Sequence, residues 1–272
     1  KSLKEAIGLL SATWGEVDVL AGGTDLVSLM KEYIHTPKRV VDVKRIEELG
    51  GIERTSAGLR LGATVTLTQL LADAGVRSEY PALAAAAESV SSMQIRNVET
   101  VASEITQRPR CWYFRNGFGL LAMKDGKSLV ENGENRYHAI FGAGPARFVS
   151  ASRLGPALIA LGAKIKIVSA AGEREVDAEA FFVSPANESS REVDLKPNEI
   201  VSAVVIPPAG GAKSATYEVR QREALDWPLA AASVMLKMSG GKVASARVVM
   251  GHVAPTPVMS KDAASYLSGK SV

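Results

Sequence analysis

The segment Val17-Asp18-Val19-Leu20-Ala21-Gly22-Gly23-Thr24-Asp25-Leu26 constrains this chain most: a short apolar run enters two glycines and leaves them at the start of a periodic stretch. Such a run predicts a buried strand, and Thr24 is placed to cap a helix whose apolar positions are Leu26, Val27, Leu29 and Met30. Upstream, Leu3, Ala6, Ile7, Leu9 and Leu10 fall on one helical stripe; downstream, Pro37 precedes the β-branched run Val40-Val41-Asp42-Val43. The order α-β-α-β predicts a small parallel unit with a right-handed crossover.

From Ile52 the texture changes. Residues 52–55 and 59–63 flank Ser56-Ala57-Gly58, which predicts a hairpin, and helical periodicity follows over 66–74 and 81–92. Residues 105–144 are rich in Gly, Arg, Asn and aromatics without sustained periodicity, too long for an ordinary connector and therefore functional or partner-facing. An apolar helix over 154–163 and a strand over 164–168 come next. After Pro185 the chain turns polar, and strands over 200–206, 215–220, 232–238 and 243–252, with a turn at Ser239-Gly240-Gly241-Lys242, predict a C-terminal antiparallel domain. A helix is predicted over 261–267. At 272 residues, against ~150 per domain, one large or two modest domains are expected.

Composition removes several function classes. The 32 basic and 29 acidic residues leave a charge of +3 with no basic tail, which argues against nucleic acid and against a polybasic membrane patch. The single cysteine, Cys111, excludes internal disulfides, multi-cysteine zinc sites and an all-protein iron–sulfur site. His35, His138 and His252 have no metal-ligand spacing. No apolar run reaches the ~18–20 residues of a membrane span, and the start lacks a signal-peptide pattern, so a soluble, cytoplasmic protein is expected. The chain opens on Lys rather than Met and stops soon after a helix, and residues are expected to be missing at either end.

Two glycines at a helix start let backbone N–H groups approach an anion, and Thr24 adds a hydroxyl donor. The plain alternative is that Gly22-Gly23 only makes the turn. Asp25 would repel a phosphate, so it either caps the helix or accepts from a sugar or ring N–H. A second stretch, Gln94-Ile95-Arg96-Asn97-Val98-Glu99-Thr100-Val101-Ala102-Ser103-Glu104, leads into Arg108-Pro109-Arg110-Cys111-Trp112-Tyr113-Phe114-Arg115. Together with Tyr217 to Arg222, Asp226-Trp227 and the Leu236 to Lys242 hairpin, these segments resemble the FAD-binding medium subunit of the molybdenum hydroxylases, the xanthine dehydrogenase and carbon monoxide dehydrogenase group.

The resemblance implies an α+β fold: a PCMH-type FAD-binding domain of two α/β subdomains, residues 1–50 and 51–170 with a long inserted loop at 105–145, and a C-terminal antiparallel-sheet domain with flanking helices at 171–272. It implies that Leu20, Ala21, Gly22, Gly23, Thr24, Asp25 and Leu26 hold the pyrophosphate and ribitol of FAD. Thr100, Val101, Ala102, Ser103 and Glu104 would clasp it from the other side, and Trp227 would lie near the isoalloxazine. An ordinary packing role for Trp227 before Pro228 stands beside that reading. No catalytic side chain and no metal ligand is implied. The implied partners are a molybdopterin-binding large subunit and a 2Fe–2S small subunit, in a dimer of heterotrimers, with electrons passing through FAD to an external acceptor.

This chain departs from the family pattern at three places. Ala102, Ser103 and Glu104 stand where the family has two glycines and an asparagine, which puts one clamp in doubt and keeps open a flavin-free scaffold subunit that only docks its partners. Arg153 stands where many relatives carry an acid facing the ribose or adenine, and as a cation it suits a phosphate. The inserted loop resembles one that binds a 4Fe–4S cluster through four cysteines in some members, but only Cys111 remains, so a structural role is expected for it. Trp112, Tyr113 and Phe114 read either as a local apolar cluster or as a surface for a partner or for shielding the flavin. Arg220 and Arg222 read as solvated strand residues or as phosphate ligands.

Overall fold

A computed structural model of the chain describes residues 2–142, 144–222 and 225–272. The first helix, α1 (Leu3–Gly8), opens on a reciprocal cap between Ser2 and Glu5. Strand β1 (Val17–Leu20), helix α2 (Leu26–Lys31) and strand β2 (Arg39–Asp42) follow. β1 and β2 are parallel, Val17 opposite Arg39 through Leu20 opposite Asp42, as the α-β-α-β pattern predicts. Ala6, Val41, Val43, Ile46 and Leu49 bury the inner face of this unit.

The hairpin of β3 (Ile52–Thr55) and β4 (Gly58–Gly62) precedes α3 (Leu67–Ala72), α4 (Ala74–Glu79) and α5 (Pro81–Glu88). The periodic stretch 66–74 breaks at Asp73, whose carboxylate accepts from Val76 N at 2.8 Å and so caps a new helix. Short helices α6 (Met93–Arg96), α7 (Val101–Ile105) and α8 (Trp112–Arg115) lead into the hairpin of β5 (Met123–Lys124) and β6 (Lys127–Ser128). Then come α9 (Leu154–Ala160), β7 (Lys164–Ser169), β8 (Gly172–Asp177), α10 (Ala178–Phe181) and β9 (Ile200–Ile206). The C-terminal part contains β10 (Lys213–Arg220), β11 (Pro228–Ser239), β12 (Lys242–Gly251), β13 (Val258–Met259) and α11 (Lys261–Leu267).

β9 joins an antiparallel sheet of order β3-β4-β9-β7-β8, so strands on both sides of residue 171 share one sheet. Placing 200–206 with the C-terminal strands is therefore corrected. All seven β9 residues are buried, as suits a central strand covered on both faces. The C-terminal sheet, β10-β11-β12-β13, starts only at Lys213.

Helices α5 and α9 join the two sheets. Leu83, Ala86, Leu154 and Leu158 pack in one cluster with Val204, Ile206 and Val249. Polar contacts fix the docking: Ala82 N donates to Ser214 Oγ at 3.3 Å, and Arg247 Nη2 to Ile159 O at 2.7 Å. Among the described residues no helix is long and apolar enough to cross a membrane.

Candidate functional site

The turn from β1 into α2 lies where both parts of the first region meet the inserted segment. Gly23 has φ +75°, the left-handed region open to glycine at little cost. Gly22 answers a different demand: a Cβ there would overlap the Val98 carbonyl, because the second loop packs directly against this backbone. The glycines thus do more than turn the chain. The helix begins with Val27 N donating to Gly23 O at 3.2 Å, and among the described residues the N–H groups of Gly22 to Leu26 donate to no protein acceptor. Several unpaired N–H groups at a helix start suit an anion.

The second loop is closed on itself. Thr100 and Ser103 cap α7 reciprocally: Thr100 N donates to Ser103 Oγ at 3.0 Å, and Ser103 N to Thr100 Oγ1 at 3.3 Å. Val101 N donates to Val65 O at 2.9 Å, Ala102 N to Ala63 O at 3.1 Å and Glu104 N to Thr100 O at 2.9 Å. No N–H from Thr100 to Glu104 is left for a ligand.

The Glu104 carboxylate is fully buried and turned toward α9. It accepts from Ser152 Oγ at 2.8 Å, Arg153 N at 2.5 Å, Leu154 N at 3.2 Å and Gln107 Nε2 at 3.2 Å. It supplies the anion at the start of α9 from within the chain. Burial pushes its carboxyl up to about 6, against these hydrogen bonds.

Asp25 does not cap α2 with its side chain. Its buried carboxylate accepts from Arg108 N and Arg115 Nη2, each at 2.7 Å, and pairs with Arg110 Nη1 at 3.1 Å. These contacts fasten the inserted segment over the first loop. Beneath them Leu29 packs with Phe114, Leu120, Leu121, Ala146 and Phe148. Trp112 meets Tyr113, Tyr137 and His138 edge-on at ring centroid distances of 6.1, 5.8 and 5.2 Å, and the Cys111 Sγ sits 3.1 Å from His138 Nε2. Burial raises the Cys111 thiol, so it is held as a neutral packing group. Among the described residues no group of His, Cys, Asp and Glu is arranged for a metal.

Four cavities with shared walls run through this region. One of about 160 Å³ is lined by Leu20, Ala21, Gly23, Asp25, Leu26 and Ser103, and one of about 110 Å³ by Ala21, Ala102 and Ser103. Across the first loop a third, of about 250 Å³, is lined by Thr24, Glu99, Glu104, Arg110, Arg153 and Trp227. Arg110 and Trp227 also wall the fourth, of about 650 Å³, together with Trp112, His138, Arg222 and His252. Gly22, Thr100 and Val101 line none of the four.

Two guanidiniums lie over the Trp227 ring, Arg110 at 4.8 Å and Arg153 at 4.9 Å from its centroid. Arg220 is no solvated strand residue: its Nη2 donates to Ser89 O at 2.6 Å and pairs with Glu218 at 2.8 Å. Glu99 and Arg110 carried no signal in the sequence, since neither lies in a periodic pattern that marks a site. Arg153 did, as a cation in place of an acid.

Burial, then the nearby Glu104 charge, pushes the Glu99 carboxyl up to about 8, against the pull of Arg110, Arg153 and the Thr24 hydroxyl. The folded chain therefore holds a proton that the unfolded chain releases from about 4.5 upward. This contribution makes stability fall as pH rises from about 4.5 to about 8 and level off above. Glu99→Gln is expected to remove that part of the slope, read as a smaller difference in Tm between about pH 5 and about pH 9 than in the parent. An unchanged difference would mean that Glu99 titrates normally.

Residues 1–209 match the family described as the FAD binding domain in molybdopterin dehydrogenase, and residues 215–272 the CO dehydrogenase flavoprotein C-terminal domain. The chain is 33% identical over 262 residues to the aldehyde oxidoreductase FAD-binding subunit of Escherichia coli, covering 92% of this chain and 78% of that one. It is 27% identical over 270 residues to the carbon monoxide dehydrogenase medium chain of Hydrogenophaga pseudoflava, covering 99% and 78%. A solved structure of carbon monoxide dehydrogenase from that organism superposes with a TM-score of 0.77 at 25% identity, over 100% of this chain and 79% of the other.

Proposed function

Since this chain belongs to the family of FAD-binding domains of molybdopterin dehydrogenases, we propose that it is the flavin-bearing electron-transfer subunit of a molybdopterin-dependent hydroxylase or dehydrogenase. The reading includes a molybdopterin-binding large subunit and a 2Fe–2S small subunit as partners, in a dimer of heterotrimers in the cytoplasm. Electrons pass from the 2Fe–2S clusters through FAD to an external acceptor. Bound FAD supplies the redox chemistry, and this chain's residues bind, orient and insulate it.

The N–H groups from Gly22 to Leu26 carry this reading, because they form an anion cradle that meets no protein acceptor among the described residues. The donor set around them fits a dinucleotide: the Thr24 hydroxyl and the guanidiniums of Arg110 and Arg153 line the adjoining cavity. Cavities that share walls suit an extended ligand, and the largest, about 650 Å³, falls in the ~300–1,000 Å³ range of small-molecule sites. The second loop contributes shape rather than N–H donors.

The test is retention of flavin. The chain, alone and with its partner subunits, is incubated with excess FAD, freed of unbound ligand and examined in the visible range; bound-flavin bands are expected. Their absence from both samples would overturn the proposal and leave the flavin-free scaffold that the closed second loop favours.

A further inference from the structure

We infer that Arg110 and Arg153 form the cationic clamp for the flavin diphosphate, taking over the anion-binding task that the second loop has given up. The inference rests on the flavin-binding reading above. It names side chains from the inserted segment and from the start of α9, where the resemblance had pointed to a backbone loop.

The two guanidiniums line the same cavity and both lie over the Trp227 ring. Contact with an indole ring helps hold each guanidinium in place while leaving N–H groups free to donate. Both have donors to spare: the Nε atoms of Arg110 and Arg153 are buried and make no hydrogen bond. Arg110 otherwise uses Nη1 on Asp25 and donates through Nη2 to Gln107 Oε1 at 2.8 Å. Arg153 donates through Nη2 to Asp226 O at 2.8 Å, and its Nε stands 3.6 Å from Glu218, beyond hydrogen-bond range. A buried cation with an unused N–H is costly unless an anion completes it.

The acids of the same cavity do not complete it. Glu104 is committed to the N–H groups of Arg153 and Leu154, and Glu99 keeps its proton at neutral pH. Among the residues lining this cavity the two guanidiniums therefore outnumber the one charged carboxylate, Glu104, next to the unpaired amides of the first loop, while Asp25 and Glu218 pair with them from outside the lining. Planar, fixed guanidinium forks match phosphate oxygens in pairs, so a diphosphate is the ligand chemistry they suit.

The test compares FAD, FMN and riboflavin by flavin-fluorescence titration of the whole chain, at low and high salt. FAD is expected to bind the parent more tightly than riboflavin, with an affinity that falls as salt rises. Arg110→Gln and Arg153→Gln are each expected to weaken FAD by about tenfold or more and to flatten its salt dependence, with riboflavin affinity unchanged. Arg110→Lys, which keeps the charge but loses the fork, is expected to fall between. Should Arg153→Gln fail to fold, Arg110→Gln and the parent's own preference among the three flavins decide the matter. A parent that holds FAD no better than riboflavin, or variants that match its FAD affinity and salt slope, would overturn the clamp while leaving flavin binding intact. A parent that binds no flavin overturns the reading beneath it.

Discussion

Glu104→Leu is expected to destabilise the folded chain by on the order of 3 kcal/mol or more, measured by urea unfolding at neutral pH. The carboxylate is fully buried and accepts from Ser152 Oγ, Arg153 N and Leu154 N. Leucine fills similar space but accepts nothing, so these donors are left without their partner at a fully buried position. Each such orphan costs about 1–3 kcal/mol. Glu104→Gln keeps one acceptor oxygen and is expected to lose less, about 1–2 kcal/mol. Equal stability of the Leu and Gln variants would show that the carboxylate does not hold the start of α9.

Gly22→Ala is expected to cost about as much, for a steric reason. Its Cβ would overlap the Val98 carbonyl, and the obstacle is backbone that no rotamer change can move. The two loops must separate, which disturbs the first loop's amides and the cavity beyond them. A stability loss of on the order of 3 kcal/mol and a loss of FAD affinity are expected together. Gly8→Ala is the control: nothing lies within 4 Å of a Cβ at that position at the end of α1. It is expected to be neutral or to stabilise by about 0.5 kcal/mol. If Gly22→Ala behaves like Gly8→Ala, the two loops are not in contact.

Both predictions turn on contacts that local pattern does not reveal. The parallel β1–β2 unit, the β3–β4 hairpin and the C-terminal antiparallel run were legible, because each is written in periodicity and glycine placement over some ten neighbouring residues. The seven buried residues of β9 read equally clearly as a strand. A continuous apolar run, however, does not say which sheet receives it, and pattern alone groups 200–206 with the C-terminal strands rather than with β4 and β7.

For the site, the residues of the first loop and Trp227 could be named from their motifs, but their duties could not. Asp25 reads as a helix cap from its position, and its actual partner, Arg115, lies 90 positions on. Glu104 reads as an acid intruding on a phosphate loop, while its partner N–H at Arg153 is 49 positions away. The amino-acid sequence by itself determined the local elements, the glycine turn, the absence of a four-cysteine cluster and the membership of a flavoprotein family. Tertiary structure alone decided which charges meet, because an ion pair depends on distance in space and on burial, and chain neighbours carry no record of either. It turned Glu104 inward to α9, closed the second loop, and brought Arg110 from the inserted segment onto the same indole, Trp227, as Arg153.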